Sequence, residues 1–153
     1  ILGTRNGKSI RFNENDVRPM GRKTMGVKGI TLGSKDDYVV GMIVVKREGT
    51  ILVASDKGLG KRTGVLEYRT QNRGGKGIIT LKTTEKVGKM VAMLEVVDND
   101  DLMIITDSGI MIRQPVKDIR TIGRNTQGVK LIRLSEDDNL LGMEKVISED
   151  DEE

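Results

Sequence analysis

The chain has 153 residues, 36% of them hydrophobic, which is enough for one folded domain with its own core. It contains neither Cys nor His, which excludes disulfides, cysteine zinc sites and His-based catalytic triads. The net charge of +3 is unevenly spread, because residues 149–153 are five acids; the rest of the chain has 26 Lys and Arg against the remaining 18 acids, a charge of +8. A basic body indicates an anionic partner such as nucleic acid, and the tail either competes for that surface or is a disordered, solubilising end.

Three turns, taken in chain order, share the pattern Thr/Ser-x-x-Gly-x-x-x-Arg. Their glycines are 51 residues apart each time, at Gly7, Gly58 and Gly109. Other segments keep this phase, since residues 21–28 and 123–130 agree at six of eight positions. The spacing predicts three copies of one unit. The approximate boundaries of the units are 1–45, 46–97 and 98–148.

Short apolar segments predict β-strands at 38–46, 51–54, 90–97 and 102–106. Hairpin turns are predicted between them at 47–50 and 98–101, and also at Asn6-Gly7 and Ser108-Gly109. The chain has 19 Gly and no long helical periodicity, which favours a turn-dense all-β fold. We therefore predict a β-propeller-like fold of three four-stranded blades. Three blades are fewer than a closed propeller needs, so either two chains associate or this is half of a larger domain. The chain starts at Ile1 without an initiator Met, and its first unit begins inside a blade, which favours a fragment of a larger domain.

Cations recur in the same phase as the glycines, which makes them candidates for a binding surface. The first row is Arg18, Arg69 and Arg120, the second is Arg22, Arg73 and Arg124, and the third, with a short deletion in the middle unit, is Lys28, Lys76 and Lys130. Lys23 and Gln71 complete the set of predicted DNA-binding residues. Equivalent cations on successive blades would form a curved stripe around the rim, suited to phosphate contacts with bent duplex DNA.

A further row of arginines is compatible with either phosphate binding or a structural role. These residues could tie neighbouring blades together through acidic side chains. The row is Arg11, Arg62 and Arg113, and the candidate acids are Asp16, Glu67 and Asp118.

No catalytic residue, metal site or cofactor site is predicted. The segment 58–63 does not fit a phosphate-binding Walker loop, because Arg62 stands directly after the Lys, where Ser or Thr is required, and Ser55 stands where the first Gly is required. Residues 98–101 lack the bidentate Glu of a calcium loop. The three aromatic residues are too few for a platform that stacks single-stranded bases, and too few for the hot spots of a protein-binding propeller. Duplex DNA is therefore the favoured partner, with a protein-binding propeller as an alternative.

The loop 71–77 reads Gln71-Asn72-Arg73-Gly74-Gly75-Lys76-Gly77. It resembles the Gln-basic-Arg-Gly-Gly-Lys-Gly box of DNA gyrase A subunits, with Asn72 in the basic position. Segments 17–21, 60–63 and 123–129 are also similar to the C-terminal domain of those proteins. The resemblance implies a six-bladed β-pinwheel that exchanges strands between blades and wraps duplex DNA. This chain would be its last three blades, and the loop would be a later copy of the family's first-blade box.

The same resemblance implies a role in an ATP-dependent type II topoisomerase that introduces negative supercoils. The implied partners are the remainder of the gyrase A polypeptide and the gyrase B polypeptide, in an A2B2 heterotetramer on the nucleoid in the bacterial cytoplasm. ATP and Mg²⁺ would be used elsewhere in the holoenzyme, as would the DNA-cleaving Tyr. The C-terminal domain of the topoisomerase IV A polypeptide, which would bind a DNA segment without wrapping it, is the alternative; the intact Arg-Gly-Gly-Lys-Gly core and the acidic end favour gyrase.

Overall fold

The computed structural model describes residues 1–147, so the predicted acidic tail, 149–153, lies outside the described residues. The described residues form eleven strands, β1 (Leu2–Thr4), β2 (Lys8–Ile10), β3 (Val39–Met42), β4 (Thr50–Ser55), β5 (Leu59–Gly64), β6 (Ile78–Ile79), β7 (Met90–Val96), β8 (Asp101–Thr106), β9 (Met111–Pro115), β10 (Val129–Lys130) and β11 (Leu140–Val146). Three short 3₁₀ helices recur 51 residues apart, η1 (Glu14–Asp16), η2 (Val65–Glu67) and η3 (Val116–Asp118). Within residues 1–147 no helix is both long and apolar enough to cross a membrane.

The strands form three antiparallel sheets, in the orders β3-β1-β2-β6, β10-β5-β4-β7 and, within residues 1–147, β11-β8-β9. The sheets exchange strands: β6 belongs to the second unit but pairs with β2 of the first, with Ile79 opposite Lys8. In the same way β10 of the third unit pairs with β5 of the second, with Lys130 opposite Leu59. The predicted all-β, blade-like architecture is confirmed, and the strand exchange agrees with the β-pinwheel that the resemblance implied.

The hairpin predictions are confirmed at the glycine turns and wrong at two other places. Gly7, Gly58 and Gly109 have φ of 80°, 80° and 86° and close the β1–β2, β4–β5 and β8–β9 hairpins. Residues 47–50 and 98–101 do not close hairpins, because they connect one sheet to the next. The last strand of each unit folds back onto the first strand of its own unit, as β3 does on β1 and β7 does on β4, so the following strand starts a new sheet.

The core lies between the sheets, and alternate side chains of β4 contribute to its two apolar clusters. Ile51 and Val53 belong to one apolar cluster, and Leu52 and Ala54 to the other, and all four are fully buried or nearly so. Successive side chains of a strand point to opposite faces, so the middle sheet is covered on both sides, as a blade between two blades must be. Strands β3 and β11 each lie against β7, which defines an inner edge; β6 and β10 form the opposite, outer edge.

Candidate nucleic-acid interface

An arginine of each later unit clasps two backbone carbonyls of other segments. Arg73 donates from Nε to the Asp16 carbonyl (3.0 Å) and from Nη1 to the Lys28 carbonyl (2.5 Å). Arg124 makes the same two hydrogen bonds 51 residues later, to the carbonyls of Glu67 and Ile79. Each clasp therefore ties its loop to the 3₁₀ helix of the preceding unit and to the chain at or near an outer strand. Both arginines were predicted to bind DNA, and the structure gives both a contact within the protein.

Two glycines allow the loops to descend against the preceding unit. Gly77 has φ of 71°, and a Cβ there would lie 2.4 Å from the Ser9 carbonyl oxygen. Gly128 has φ of 81°, and a Cβ would lie 2.6 Å from the Gly60 carbonyl oxygen. Only glycine tolerates both the backbone angle and the lack of space. At these positions the close approach that glycine permits is made to the protein's own backbone.

The other predicted cations are exposed, and within residues 1–147 their side chains have no hydrogen-bond or ion-pair partner. These eight are Arg18, Arg22, Lys23, Lys28, Arg69, Lys76, Arg120 and Lys130. Arg18, Arg69 and Arg120 each follow directly on the C-cap residue of a 3₁₀ helix. Because each clasp binds one loop to the 3₁₀ helix of the preceding unit, the loop of the second unit lies beside the segment that carries Arg18, and the loop of the third unit lies beside the segment that carries Arg69.

Gln71 differs from the cations in its surroundings. Its backbone N–H donates to the Arg11 carbonyl oxygen at 2.7 Å, which fixes the start of the loop to the chain just after β2. Its side-chain Oε1 is buried, without a hydrogen-bond partner among residues 1–147. The structure therefore places Gln71 at the base of the loop, while the tip carries Asn72 and Lys76, which are both exposed.

The row that begins with Arg11 is structural in the first two units. Arg11 and Arg62 each donate from Nη1 to two carbonyl oxygens around the 3₁₀ helix of the next unit. For Arg62 these belong to Val116 (3.3 Å) and Ile119 (3.4 Å). In the third unit Arg113 is largely exposed and, among residues 1–147, pairs only with an acid of β8. Blade tying, one of the two alternatives, thus holds for two of the three arginines. The acceptors in the next unit are backbone carbonyls and, for Arg62, also the carboxylate of Asp98, and not the predicted side chains of Asp16, Glu67 and Asp118.

Comparison with known proteins agrees with this geometry. The family model of the DNA gyrase C-terminal domain, a β-propeller, matches residues 1–46, 49–96 and 100–147. The chain belongs to the DNA gyrase C-terminal domain family. It is 48% identical over its whole length to the DNA gyrase A polypeptide of Escherichia coli K12, and 44% identical over 99% of its length to that of Deinococcus deserti. It spans 17% and 19% of those two proteins.

Solved structures of related domains have the same fold. The chain superposes on a DNA gyrase A C-terminal domain with a TM-score of 0.87 and 26% identity, over 95% of this chain and 50% of that one. It superposes equally well on the C-terminal domain of a DNA topoisomerase IV, with a TM-score of 0.87, 25% identity, and coverage of 95% and 46%. Sequence identity to the two gyrase A polypeptides is considerably higher, and the family resemblance drawn from the loop 71–77 is confirmed.

For this gyrase-family chain, the predicted alignment of the lysine row is wrong at Lys76. Lys130 lies in the outer strand β10, and its structural equivalent in β6 is Ile79. Lys76 lies earlier, in the loop before Gly77, and so is equivalent to Gln127. No deletion is needed, because the positive-φ glycines keep the spacing of 51. The fold preserves the position of the turn glycine in each unit, not the position of the lysine.

Sequence reasoning also missed Lys61, a fully buried cation of β5. Its Nζ donates to the Gly123 carbonyl (3.0 Å), the Thr126 carbonyl (3.2 Å), the Thr126 hydroxyl (2.9 Å) and the Arg124 carbonyl. The repeat could have indicated its burial, because the residues 51 positions before and 51 positions after Lys61 are both Ile. A lysine where the repeat otherwise has Ile occupies an inward-facing position and needs partners inside the protein.

Proposed function

We propose that the outer edge of the sheets binds the phosphates of duplex DNA and bends the duplex around it, as part of the DNA-wrapping region of a gyrase A polypeptide. The observation that carries this proposal is the set of eight exposed cations, which have no protein partner within residues 1–147. Phosphate contacts release counterions and give affinity that does not depend on base sequence. An edge of this kind suits a partner that must be held at many sites.

The clasps make the edge rigid enough to impose a curve. Arg73 and Arg124 fix the loops of two units to the units before them, so the backbone of these loops is in position before DNA arrives. Such preorganisation lowers the ordering cost of binding. Smoothly bending 20–30 base pairs by 40–90° costs on the order of 1–6 kcal/mol, which several phosphate contacts can offset.

The wider activity is part of the same proposal. The relatives at 44–48% identity are DNA gyrase A polypeptides, of which this chain spans less than a fifth. In the holoenzyme the chain would act with the rest of the gyrase A polypeptide and with the gyrase B polypeptide, as an A2B2 heterotetramer on the bacterial nucleoid. It would support negative supercoiling by an ATP-dependent type II topoisomerase, in which ATP and Mg²⁺ are used by other regions. The tail, 149–153, would compete with DNA for the basic edge.

Salt dependence of duplex binding tests the interface. Replacing Arg18, Arg69 and Arg120 with Gln removes three predicted phosphate contacts, so the slope of log affinity against log salt should fall by about three. A matched control replaces Lys35, Lys57 and Lys86 with Gln. These lysines are exposed and lie in the β4–β5 hairpin or in the turns before β3 and β7, outside the outer strands β6 and β10. The control should change the slope little; an equal fall in both variants would show that net charge alone attracts DNA.

Binding of a DNA segment without wrapping is the second candidate function. It is favoured by the superposition on the topoisomerase IV domain, whose TM-score equals that for the gyrase domain. The two functions differ in whether bound DNA is constrained in a superhelical path, and affinity measurements do not distinguish them.

A further inference from the structure

A buried lysine of the second unit donates hydrogen bonds to a neighbouring loop of the third unit. The side chain of Lys61 is fully buried, and an ammonium group without partners would be very costly in that position. All four oxygens that accept hydrogen bonds from its Nζ belong to residues 123–126, the loop that precedes the outer strand β10. The oxygens of this loop therefore point inward toward the ammonium group, and their hydrogen bonds to it hold the loop in its conformation.

The second unit closes the equivalent loop in another way. The residue equivalent to Lys61 is Ile10, which is also fully buried, and its Cδ1 lies 3.5 Å from the position of a Cβ on Gly75. That loop has two consecutive glycines and closes over an apolar side chain. The loop 123–126 has Asn125 and Thr126 instead and closes over the ammonium. The difference between the two loops thus follows the difference between Ile and Lys beneath them.

We infer that Lys61 is a positioning residue for DNA binding by the third unit, and this inference rests on the proposed function. By holding the carbonyls of residues 123–126 inward, Lys61 leaves Asn125 and Gln127 exposed and leads the chain into β10, where Lys130 faces solvent. Lys61 does not itself reach DNA, because it is buried beneath the loop. The third unit carries no Gly-Gly pair, so its interface depends on this charge.

The charges around Lys61 allow its protonation to be followed. Burial lowers the pKa of Lys61 to about 8, Glu67 acts in the opposite sense, and Arg124 and Lys82 add to the lowering. Glutamate, lysine and arginine side chains ordinarily titrate outside pH 7–9. A transition near pH 8 that is seen at the loop 123–128 would therefore report the loss of the Lys61 proton.

The test compares Lys61→Met with Ile10→Met, the same strand position one unit earlier. Lys61→Met should shift the backbone amide resonances of residues 123–128 and weaken duplex binding about threefold to tenfold. It should also lower the salt slope by about one, because Lys130 would no longer be positioned for its phosphate contact. Ile10→Met should leave DNA affinity within about twofold, since an apolar side chain is kept. Full affinity and an unchanged salt slope for folded Lys61→Met would overturn the inference.

The unmodified chain provides a second test, which does not depend on the variant folding. Between pH 7 and 9 the amides of residues 123–128 should titrate together with a midpoint near 8, and DNA affinity should fall with the same midpoint. Absence of this shared transition would overturn the role of Lys61. Absence of any duplex binding by the unmodified chain, even at low salt, would instead overturn the proposed function.

Discussion

Replacing Arg62 with Met should unfold the chain much more readily, because its guanidinium joins the second unit to the third. It is 6% exposed, donates to the carbonyls of Val116 and Ile119 and to the Thr50 hydroxyl, and pairs with Asp98 at 2.7 Å. Asp98 is largely exposed, so that ion pair contributes little. The Val116 carbonyl keeps the N–H of Ile119, whereas the Ile119 carbonyl loses the guanidinium donor. Because three hydrogen bonds from a charged, buried donor are lost, we expect a loss of about 3–5 kcal/mol in the free energy of unfolding.

Urea unfolding measures this loss, and the repeat supplies its control. With an m-value of about 2 kcal/mol/M, the expected loss lowers the midpoint by about 1.5–2.5 M. Arg113→Met makes the same substitution at the equivalent position of the third unit. There the side chain is 60% exposed and pairs only with Asp101 among residues 1–147, so the expected loss is under about 1 kcal/mol. Equal losses for the two variants would refute the view that the carbonyl contacts of Arg62 hold adjoining units together.

Three other outcomes follow from the geometry. Gly77→Ala should destabilise the chain by roughly 3 kcal/mol or more, because the new Cβ would lie 2.4 Å from a carbonyl oxygen of β2. Gly26→Ala, at φ of 74° in open space, should cost about 1 kcal/mol. Similar losses for the two variants in urea unfolding would contradict the packing argument. Because burial lowers the pKa of Lys61, the folded chain binds its proton less tightly than the unfolded chain does. The free energy of unfolding of the unmodified chain, measured relative to that of Lys61→Met, should therefore rise between pH 8 and 10, by at most about 1.4 kcal/mol per pH unit. A fall in this difference would contradict the lowered pKa. The Ser108 hydroxyl donates to the Asp138 carboxylate and lowers its pKa. The loss of unfolding free energy caused by Ser108→Ala at pH 6 should therefore diminish as pH falls below 4. A difference in stability between the two proteins that stays constant during acid unfolding would contradict that assignment.

The sequence predicted those parts of the fold that have a local cause. Turns such as Asn6-Gly7 require positive φ at glycine, and a spacing of 51 residues is visible without any structure. The partner of each strand is set by contacts far away in sequence. Strands β6 and β10 are two residues long, too short to show a periodicity, and their pairing with the preceding unit could be expected only from the family resemblance. The links at 47–50 and 98–101 were misassigned as hairpins for the same reason.

The site was predicted in outline, but the roles of individual cations were not. Arg69 and Arg73 are the same residue type, repeat with the same phase and lie four residues apart. Arg69 is exposed and unpaired within residues 1–147, whereas Arg73 binds carbonyls 45 and 57 residues earlier in the chain. Nothing local in the sequence marks that difference, because the acceptors are backbone atoms. Lys61 escaped notice for the same reason, since its partners lie 62 to 65 residues away.

The most direct test of DNA wrapping is the linking number of a closed circle. The chain is bound to nicked circular DNA, the nick is ligated, the protein is removed, and the topoisomers are separated. Wrapping along the outer edge predicts a linking-number shift of constant sign that grows with the amount of chain bound and is lost in the variant with Gln at positions 18, 69 and 120. Saturated binding of the unmodified chain with no shift in linking number would show that the duplex is held but not wrapped, and would contradict the proposal.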